Sequence, residues 1–544
     1  MNTKMKKALA GLACGLAIAA GAASASAANG VLKSPYLLYP NVPSQMELLW
    51  QDNNTETDNV TLYSDPACTQ VVCSDTSAEY NVTGTAAYGH QHAYIFGNTT
   101  ACGPLTPDTM YYWQVNDNTN PVWQGSFETA PYATDTHVRF TAQGDSRSQP
   151  YALDELDQAA MQFTSLPGNS EYGRLSITNG DWVSTDGDSY WATQWFLPYQ
   201  TNLRTYTANT PLNGAKGNHD DSGGYSASLP KYYPFPNPNL VMLTTSNHST
   251  HGLSSCKTSA STPAGANVCV DSDGNPYYSQ LFWSFDYGPV HFTIIDEYSS
   301  MASGSVQYNW VQSDLANTTK PWKIVIYHEP AYGTGSDGDN TAVRIFEPLF
   351  AQYNVDVIFC GHNHNYVRAE AYNLNQAGGD NIALGLPHIT AGGGGAPIYQ
   401  PVMGNTGSFP HVVTAWPTYV FMMFDITGDT LTMTSYQANN IKDTSGYTSP
   451  TNTGAPSPNP PTNISYTMME QTVLHHYPEV TSQISASMSN LVYNRSTKTY
   501  NGTVTLTNNG AALTGDLHLW LDGIFNLQGV NTNVNSANPV TNPA

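Results

Sequence analysis

The sequence predicts a central α/β domain flanked by two all-β, sandwich-like domains. Three observations predict it. Apolar strands alternate with helical stretches through the middle of the chain. Short alternating strands with frequent turns fill both flanks. Charged residues are sparse, at 11%, against 44 Gly and 35 Pro, a balance that suits turn-rich β domains. At 544 residues the chain is too long for a single core.

Residues 1–27 read as a signal peptide. Lys4, Lys6 and Lys7 precede a small apolar run from Ala8 to Ala20, too short to span a bilayer, and Ala25-Ser26-Ala27 is a suitable cleavage site. The expectation is an exported protein, periplasmic or extracellular, with no membrane insertion. Beyond Cys14 there remain Cys68, Cys73, Cys102, Cys256, Cys269 and Cys360, and export permits disulfides. Cys256 and Cys269 flank a small-residue loop and are expected to pair. Two of Cys68, Cys73 and Cys102 are expected to pair, with the choice left open. Cys360 ends an apolar run and reads as a buried thiol.

Residues 28–131 form the first β domain. Met46, Leu48 and Trp50 share one strand face, and Leu105, Pro107, Thr109, Tyr111, Trp113 and Val115 alternate likewise. Its expected role is a packing scaffold. Residues 132–444 form the α/β domain, with strands at 138–140, 175–177, 291–295, 323–326 and 355–359 and helices near 152–163 and 306–316. Residues 445–465, rich in Pro, Thr, Ser and Asn, read as a linker. Residues 466–544 alternate again as a C-terminal β domain, with Asn508-Asn509-Gly510 as a turn. Two roles stay open for that domain: attachment to a cell surface and self-association.

The formal net charge of −23 argues against nucleic acid and anionic membranes as partners. Five short motifs punctuate the α/β domain, each at a strand end or in a loop. They are Gly144-Asp145, Gly180-Asp181, Gly217-Asn218-His219-Asp220, His328, and Gly361-His362-Asn363-His364. Imidazole nitrogen with carboxylate and amide oxygen suits Fe, Zn or Mn. Two such ions roughly 3.5–4 Å apart can share a carboxylate and a bridging hydroxide, and can absorb charge on a transferring phosphoryl group. Singly, each residue has an ordinary explanation: turn or cap aspartates, a turn asparagine, a core histidine. Together and in this order they point to a metal site.

The order resembles the calcineurin-like metallophosphoesterases. Phe282 to Phe292, Pro321-Trp322-Lys323-Ile324-Val325 leading to His328-Glu329-Pro330, and His362-Asn363-His364-Asn365-Tyr366-Val367-Arg368 look like purple acid phosphatases. The Leu105–Trp113 run, closing at Phe127 to Pro131, resembles a fibronectin type III domain. The resemblance covers roughly residues 30–438. It implies a metallophosphoesterase β-sandwich flanked by helices, two metal ions, and hydrolysis of a small phosphate ester by a metal-bridging hydroxide. It also implies that Asp181 bridges the ions, that Asp145 and His364 bind the first, and that Asn218, His328 and His362 bind the second. His219 would contact the phosphate without ligating.

Two positions depart from the pattern. The tyrosine expected three residues after the bridging aspartate is Ser184, so a colourless protein is expected. The histidine common in the superfamily two residues after the first aspartate is Arg147, read here as a catalytic contact to the substrate phosphate. Water, Ser184, Asp186 or Asp188 would complete the first metal's shell. No histidine follows His328 before Arg344; Tyr332, Asp337, Asp339 and Asn340 stand there instead, so activated aryl esters should be favoured. The run Ala391 to Ala396 reads as structural, and Tyr366 and Arg368 as supports of the histidine loop. His90, His92, His411, His475 and His476 read as surface or packing residues. A degenerate site in a surface or extracellular binding protein is the alternative to an enzyme.

Overall fold

The computed structural model describes residues 33–52, 57–77, 79–82, 90–116, 122–258, 267–334, 337–370, 386–401, 411–441, 463–476, 484–494 and 499–510. The expected signal peptide, most of the expected linker and the chain beyond residue 510 lie outside the described residues.

Two four-stranded antiparallel sheets make the first domain. One runs in the order Lys33–Leu38, Met46–Asp52, His90–Phe96, Glu79–Val82; the other runs Val71–Ser77, Asp58–Tyr63, Met110–Asn116, Trp123–Glu128. The alternation decides the faces. Met46, Leu48 and Trp50 enter one core with Leu105, Tyr111, Trp113, Val115 and Phe127, whereas Leu49, one step out of phase, packs with the α/β domain. Cys73 and Cys102 are bonded across this domain, and Cys68 is in neither disulfide; Cys256 and Cys269 pair as expected, and Cys360 is a buried thiol.

The α/β domain is a sandwich of two mixed sheets. The first orders Leu212–Gly214, Ser176–Thr178, His137–Gln143, Val420–Thr427, Thr430–Asn439 and Ser465–His475. The second orders Trp283–Tyr287, Val290–Ile294, Trp322–Ile326, Val357–Cys360, Pro387–Ala391, Tyr366–Glu370 and Val412–Trp416. Aromatic side chains join the layers: Phe140, stacked on its cross-strand neighbour Phe424 with centroids 4.7 Å apart, meets Phe292 of the second sheet edge-on at 5.3 Å. All five predicted strands are present, at His137–Gln143, Ser176–Thr178, Val290–Ile294, Trp322–Ile326 and Val357–Cys360. The predicted helices are Pro150–Thr164 and Val306–Asn317. The first opens on Pro150, whose missing N–H costs nothing in a first turn, and the second on Ser305, whose Oγ accepts from Tyr308 N at 3.1 Å.

Strand Ser465–His475 corrects the expected boundary at 466. It is hydrogen-bonded at the edge of the first α/β sheet, and Glu470 accepts from Tyr366 Oη at 2.9 Å and Arg368 Nε at 3.0 Å. Tyr366 and Arg368 thus secure this strand, not the histidine loop. Further on, Ile484–Asn494 and Thr499–Asn508 form an antiparallel hairpin in a separate unit.

Candidate metal centre

Every motif follows the end of a strand. Asp145 follows His137–Gln143, Asp181 follows Ser176–Thr178, and Asn218 follows Leu212–Gly214. His328 follows Trp322–Ile326, and His362 follows Val357–Cys360. The first three strands run parallel to one another, as do the last two, so all five loops emerge together. The turns are sharp. Asp145, Asp181 and His362 have φ of 57°, 54° and 66°, a left-handed conformation that side chains rarely adopt. Strain at three expected ligands is the signature of a site held by its surroundings. Gly180 (φ 107°) passes so close to the next motif that a Cβ there would lie 2.7 Å from Gly217 N.

The expected ligands converge. Asp181 is wholly buried; its Oδ1 accepts from His219 N at 2.9 Å and lies 3.2 Å from His328 Nε2. Asn218 Oδ1 stands 3.0 Å from His328 Nε2 and 3.0 Å from His362 Nδ1. Asp145, also wholly buried, accepts from His362 N at 2.9 Å and lies 3.6 Å from His364 Nε2.

Backbone carbonyls set the histidine tautomers. Nδ1 of His328 faces Asn179 O at 3.0 Å, Nδ1 of His364 faces Pro397 O at 2.8 Å, and Nδ1 of His219 faces Ser184 O at 2.7 Å. A carbonyl only accepts, so each Nδ1 carries a proton and each Nε2 faces the other way, able to ligate an ion when it carries no proton. His328 Nε2 faces two acceptors, Asp181 Oδ1 and Asn218 Oδ1. Such a cluster requires a positive charge at its centre, the proton of an imidazolium or a bound cation. Burial opposes charge on His328, yet Asp181 and Asp145 overcome it and raise the ring to about 10. Burial likewise opposes ionisation of Asp181, yet His328 and Arg147 hold it well below the usual carboxylate range. The donors are those of a transition-metal site, so the residues fit the group that the sequence implies.

Arg147 belongs to the same cluster. Its Nε donates to Asp181 Oδ2 at 2.8 Å and its Nη2 to His364 Nε2 at 3.1 Å. Burial and then the guanidinium depress His364 to about 3, so its ring is neutral.

Other expectations at the site change. Ser184 Oγ is bonded to Ser148 Oγ at 2.9 Å. Asp186 holds Ser228 N at 2.8 Å and Ala227 N at 2.9 Å, and Asp188 pairs with Lys231 Nζ at 2.8 Å. Neither aspartate completes the first metal's shell, because each is committed to a neighbouring loop. Tyr332 is buried and packs on His388 and His411, away from a leaving group. Asp337, Asp339 and Asn340 instead line a cleft with His362 and Glu329. The glycine run is structural: a Cβ on Gly394 would lie 2.0 Å from Gly144 O, so only glycine lets this backbone cross behind Asp145.

Sequence reasoning missed four supports. Asn179 orients His328 through its carbonyl, and its Nδ2 donates to Ala391 O at 3.2 Å. Glu297 accepts from His328 N at 2.8 Å. Asp220, raised to about 7 by burial and by Asp181, accepts from Gly217 N at 2.9 Å and Trp182 N at 3.1 Å. Tyr399 stacks on His364 at 4.1 Å. Asn179 adjoins a quoted motif, Asp220 closes one and Glu297 lies just beyond strand Val290–Ile294, so position alone could have flagged their roles; nothing local marks Tyr399. A second group of potential ligands, Asp52, Asp58 and His92, is buried in the first domain, where His92 stacks on Trp50 with centroids 5.1 Å apart.

Comparison with known proteins agrees with this geometry. The calcineurin-like phosphoesterase family model matches residues 133–366. Acid phosphatase A of Cryphonectria parasitica is 27% identical over 388 residues, covering 60% of this chain and 73% of that protein. Purple acid phosphatase 21 of Arabidopsis thaliana is 26% identical over 325 residues, covering 57% and 62%. In structure, a purple acid phosphatase from yellow lupin (Lupinus luteus) seeds superposes with a TM-score of 0.51 at 16% identity, covering 74% of this chain and 72% of that one. PhoD superposes with a TM-score of 0.52 at 12% identity, covering 82% and 91%; at such identities these two show the fold alone. Enzymes of the purple acid phosphatase kind use a dinuclear metal centre. Residues 133–366 are therefore a calcineurin-like phosphoesterase domain, a phosphoric ester hydrolase by family, and the chain has acid and purple acid phosphatases among its relatives.

Proposed function

We propose that the chain is an exported phosphoesterase that hydrolyses small phosphate esters at a dinuclear centre. Asp181, Asp145 and His364 would hold the first ion, and Asp181, Asn218, His328 and His362 the second. The observation that carries the reading is the convergence on His328 Nε2 of Asp181 Oδ1 at 3.2 Å and Asn218 Oδ1 at 3.0 Å. When bound, the ions supply Lewis acidity toward the phosphoryl oxygens and generate the nucleophile from water. The chain's own residues orient and neutralise. Asn179 and Pro397 hold the His328 and His364 rings by their carbonyls. His219, anchored through Nδ1 on Ser184 O, keeps Nε2 for a phosphoryl oxygen, to which the ring donates only as an imidazolium. Arg147 adds a guanidinium whose planar fork suits a phosphate. Export is supported by the two disulfides, and among the described residues no helix is long and apolar enough to cross a membrane. A fibronectin type III-like scaffold is the reading for the first domain.

The intrusion of Arg147 among the first-position ligands favours one second reading, a binding protein with a degenerate site. Both are tested by loading the purified protein with Mn, Fe or Zn and assaying an aryl phosphate. The phosphoesterase reading expects turnover, and a fall in kcat of about 10²–10³-fold in His219→Ala with metal content kept. Metal-loaded protein that leaves aryl phosphates intact would establish the degenerate site.

A further inference from the structure

Resting on that phosphoesterase reading, we propose that the two metal positions are unequal: the Arg147 guanidinium holds the first position, so the site takes one ion tightly and a second only when Arg147 swings out.

The two halves of the cluster differ in what already satisfies them. At the second position, Asn218 Oδ1 lies 3.0 Å from both His328 Nε2 and His362 Nδ1, Asp181 Oδ1 lies 3.2 Å from His328 Nε2, and among the described residues no Lys or Arg forms a hydrogen bond or ion pair with these atoms. At the first, the inward lone pairs of Asp181 Oδ2 and His364 Nε2 both receive hydrogen bonds from Arg147, at 2.8 Å and 3.1 Å. The acceptors that an ion needs are thus already engaged by a cation.

That cation is not easily displaced. A guanidinium cannot shed its charge in a protein, unlike a lysine or a histidine. The Arg147 side chain is only 13% exposed, Asp181 is wholly buried, and a third contact runs from Nη1 to Ser148 Oγ at 3.3 Å. An ion entering the first position must break the two ligand contacts and stand beside a fixed positive charge in a poorly hydrated pocket. Tyr399, half-buried and stacked on His364, already shares a side-chain hydrogen bond with the inward Arg147 and would remain its partner in an outward position. In that outward position the guanidinium can meet the phosphate, which joins the two roles of Arg147.

The experiment titrates metal-free protein with Zn²⁺ and with Mn²⁺, counting ions by native mass spectrometry and measuring affinities by equilibrium dialysis. The wild type should bind one equivalent tightly at the motif site and a second at least about tenfold more weakly. His364→Ala should lose the weak equivalent and keep the tight one. Arg147→Gln and Arg147→Ala should tighten the weak step by about tenfold or more, leaving the first unchanged; retention of the tight step shows that each variant is folded. Two equally tight equivalents in the wild type, or a weak step indifferent to both Arg147 variants, would overturn the inference and leave the phosphoesterase reading standing. A motif site that binds no ion would overturn that reading itself.

Discussion

Arg147 Nε lies 2.8 Å from Asp181 Oδ2, so the carboxylate expected to bridge two metal ions is also the anchor of a buried arginine. One side chain thus serves ions and guanidinium alike, through different oxygens: Oδ1 faces His328 and Oδ2 faces Arg147. Asp181→Asn removes the charge that both require. Hydrolysis of an aryl phosphate should fall by more than about 10³-fold, because several kcal/mol of charge stabilisation depend on correctly held ions. Metal content should fall with it. A variant that kept full metal content and near-normal turnover would remove Asp181 from the centre.

Iron-loaded protein should lack a tyrosinate-to-iron charge-transfer band in its visible spectrum. Ser184 stands at the position where the purple enzymes carry their tyrosine, and its hydroxyl is bonded to Ser148. The nearest substitute, Tyr399, is raised above its ordinary value by burial, which disfavours the phenolate such a band requires. A visible band that disappeared in Tyr399→Phe would contradict this.

Stability should depend on pH through His291. This residue lies in a stretch resembling the purple acid phosphatases, yet its work is structural: Nδ1 meets Asp286 at 2.7 Å and Nε2 meets Asp314 at 2.9 Å. Burial opposes its charge, but the two carboxylates raise it to about 9. A folded-state value above the unfolded one, about 6.5, stabilises the fold fully below pH of about 6.5 and is lost as pH climbs toward about 9. The contribution is about 2 kcal/mol once the half-exposed Asp286 is discounted for solvent screening. His291→Gln should therefore melt well below wild type near pH 6, and the gap should close above pH of about 9. A gap independent of pH would rule out the charged pair.

Asp188 should matter to folding and not to metal. Its carboxylate is wholly buried and accepts from Lys231 Nζ at 2.8 Å, Tyr232 Oη at 2.5 Å and Asn275 Nδ2 at 3.0 Å. Asp188→Ala leaves a buried ammonium uncompensated, at a cost of about 3–5 kcal/mol in chemical denaturation. The folded fraction should retain its metal. Loss of metal at constant stability would return Asp188 to the first metal's shell.

Much of this protein was written in local order. Alternation placed Met46, Leu48 and Trp50 in one core, and apolar runs ending in Gly-Asp or Gly-His marked the strand ends where the motifs sit, because strand geometry and tight turns are local consequences of residue type. Residue chemistry likewise singled out the imidazoles and carboxylates that converge at the candidate metal centre. Tertiary structure alone decided the rest. It joined Cys73 to Cys102, took Ser465–His475 into the α/β sheet, spent Asp186 and Asp188 on neighbouring loops, and aimed Arg147 between Asp181 and His364. Each of these is a contact between segments far apart in the chain. Which partner a long charged side chain finds depends on what burial has brought beside it, and no spacing along the sequence encodes that.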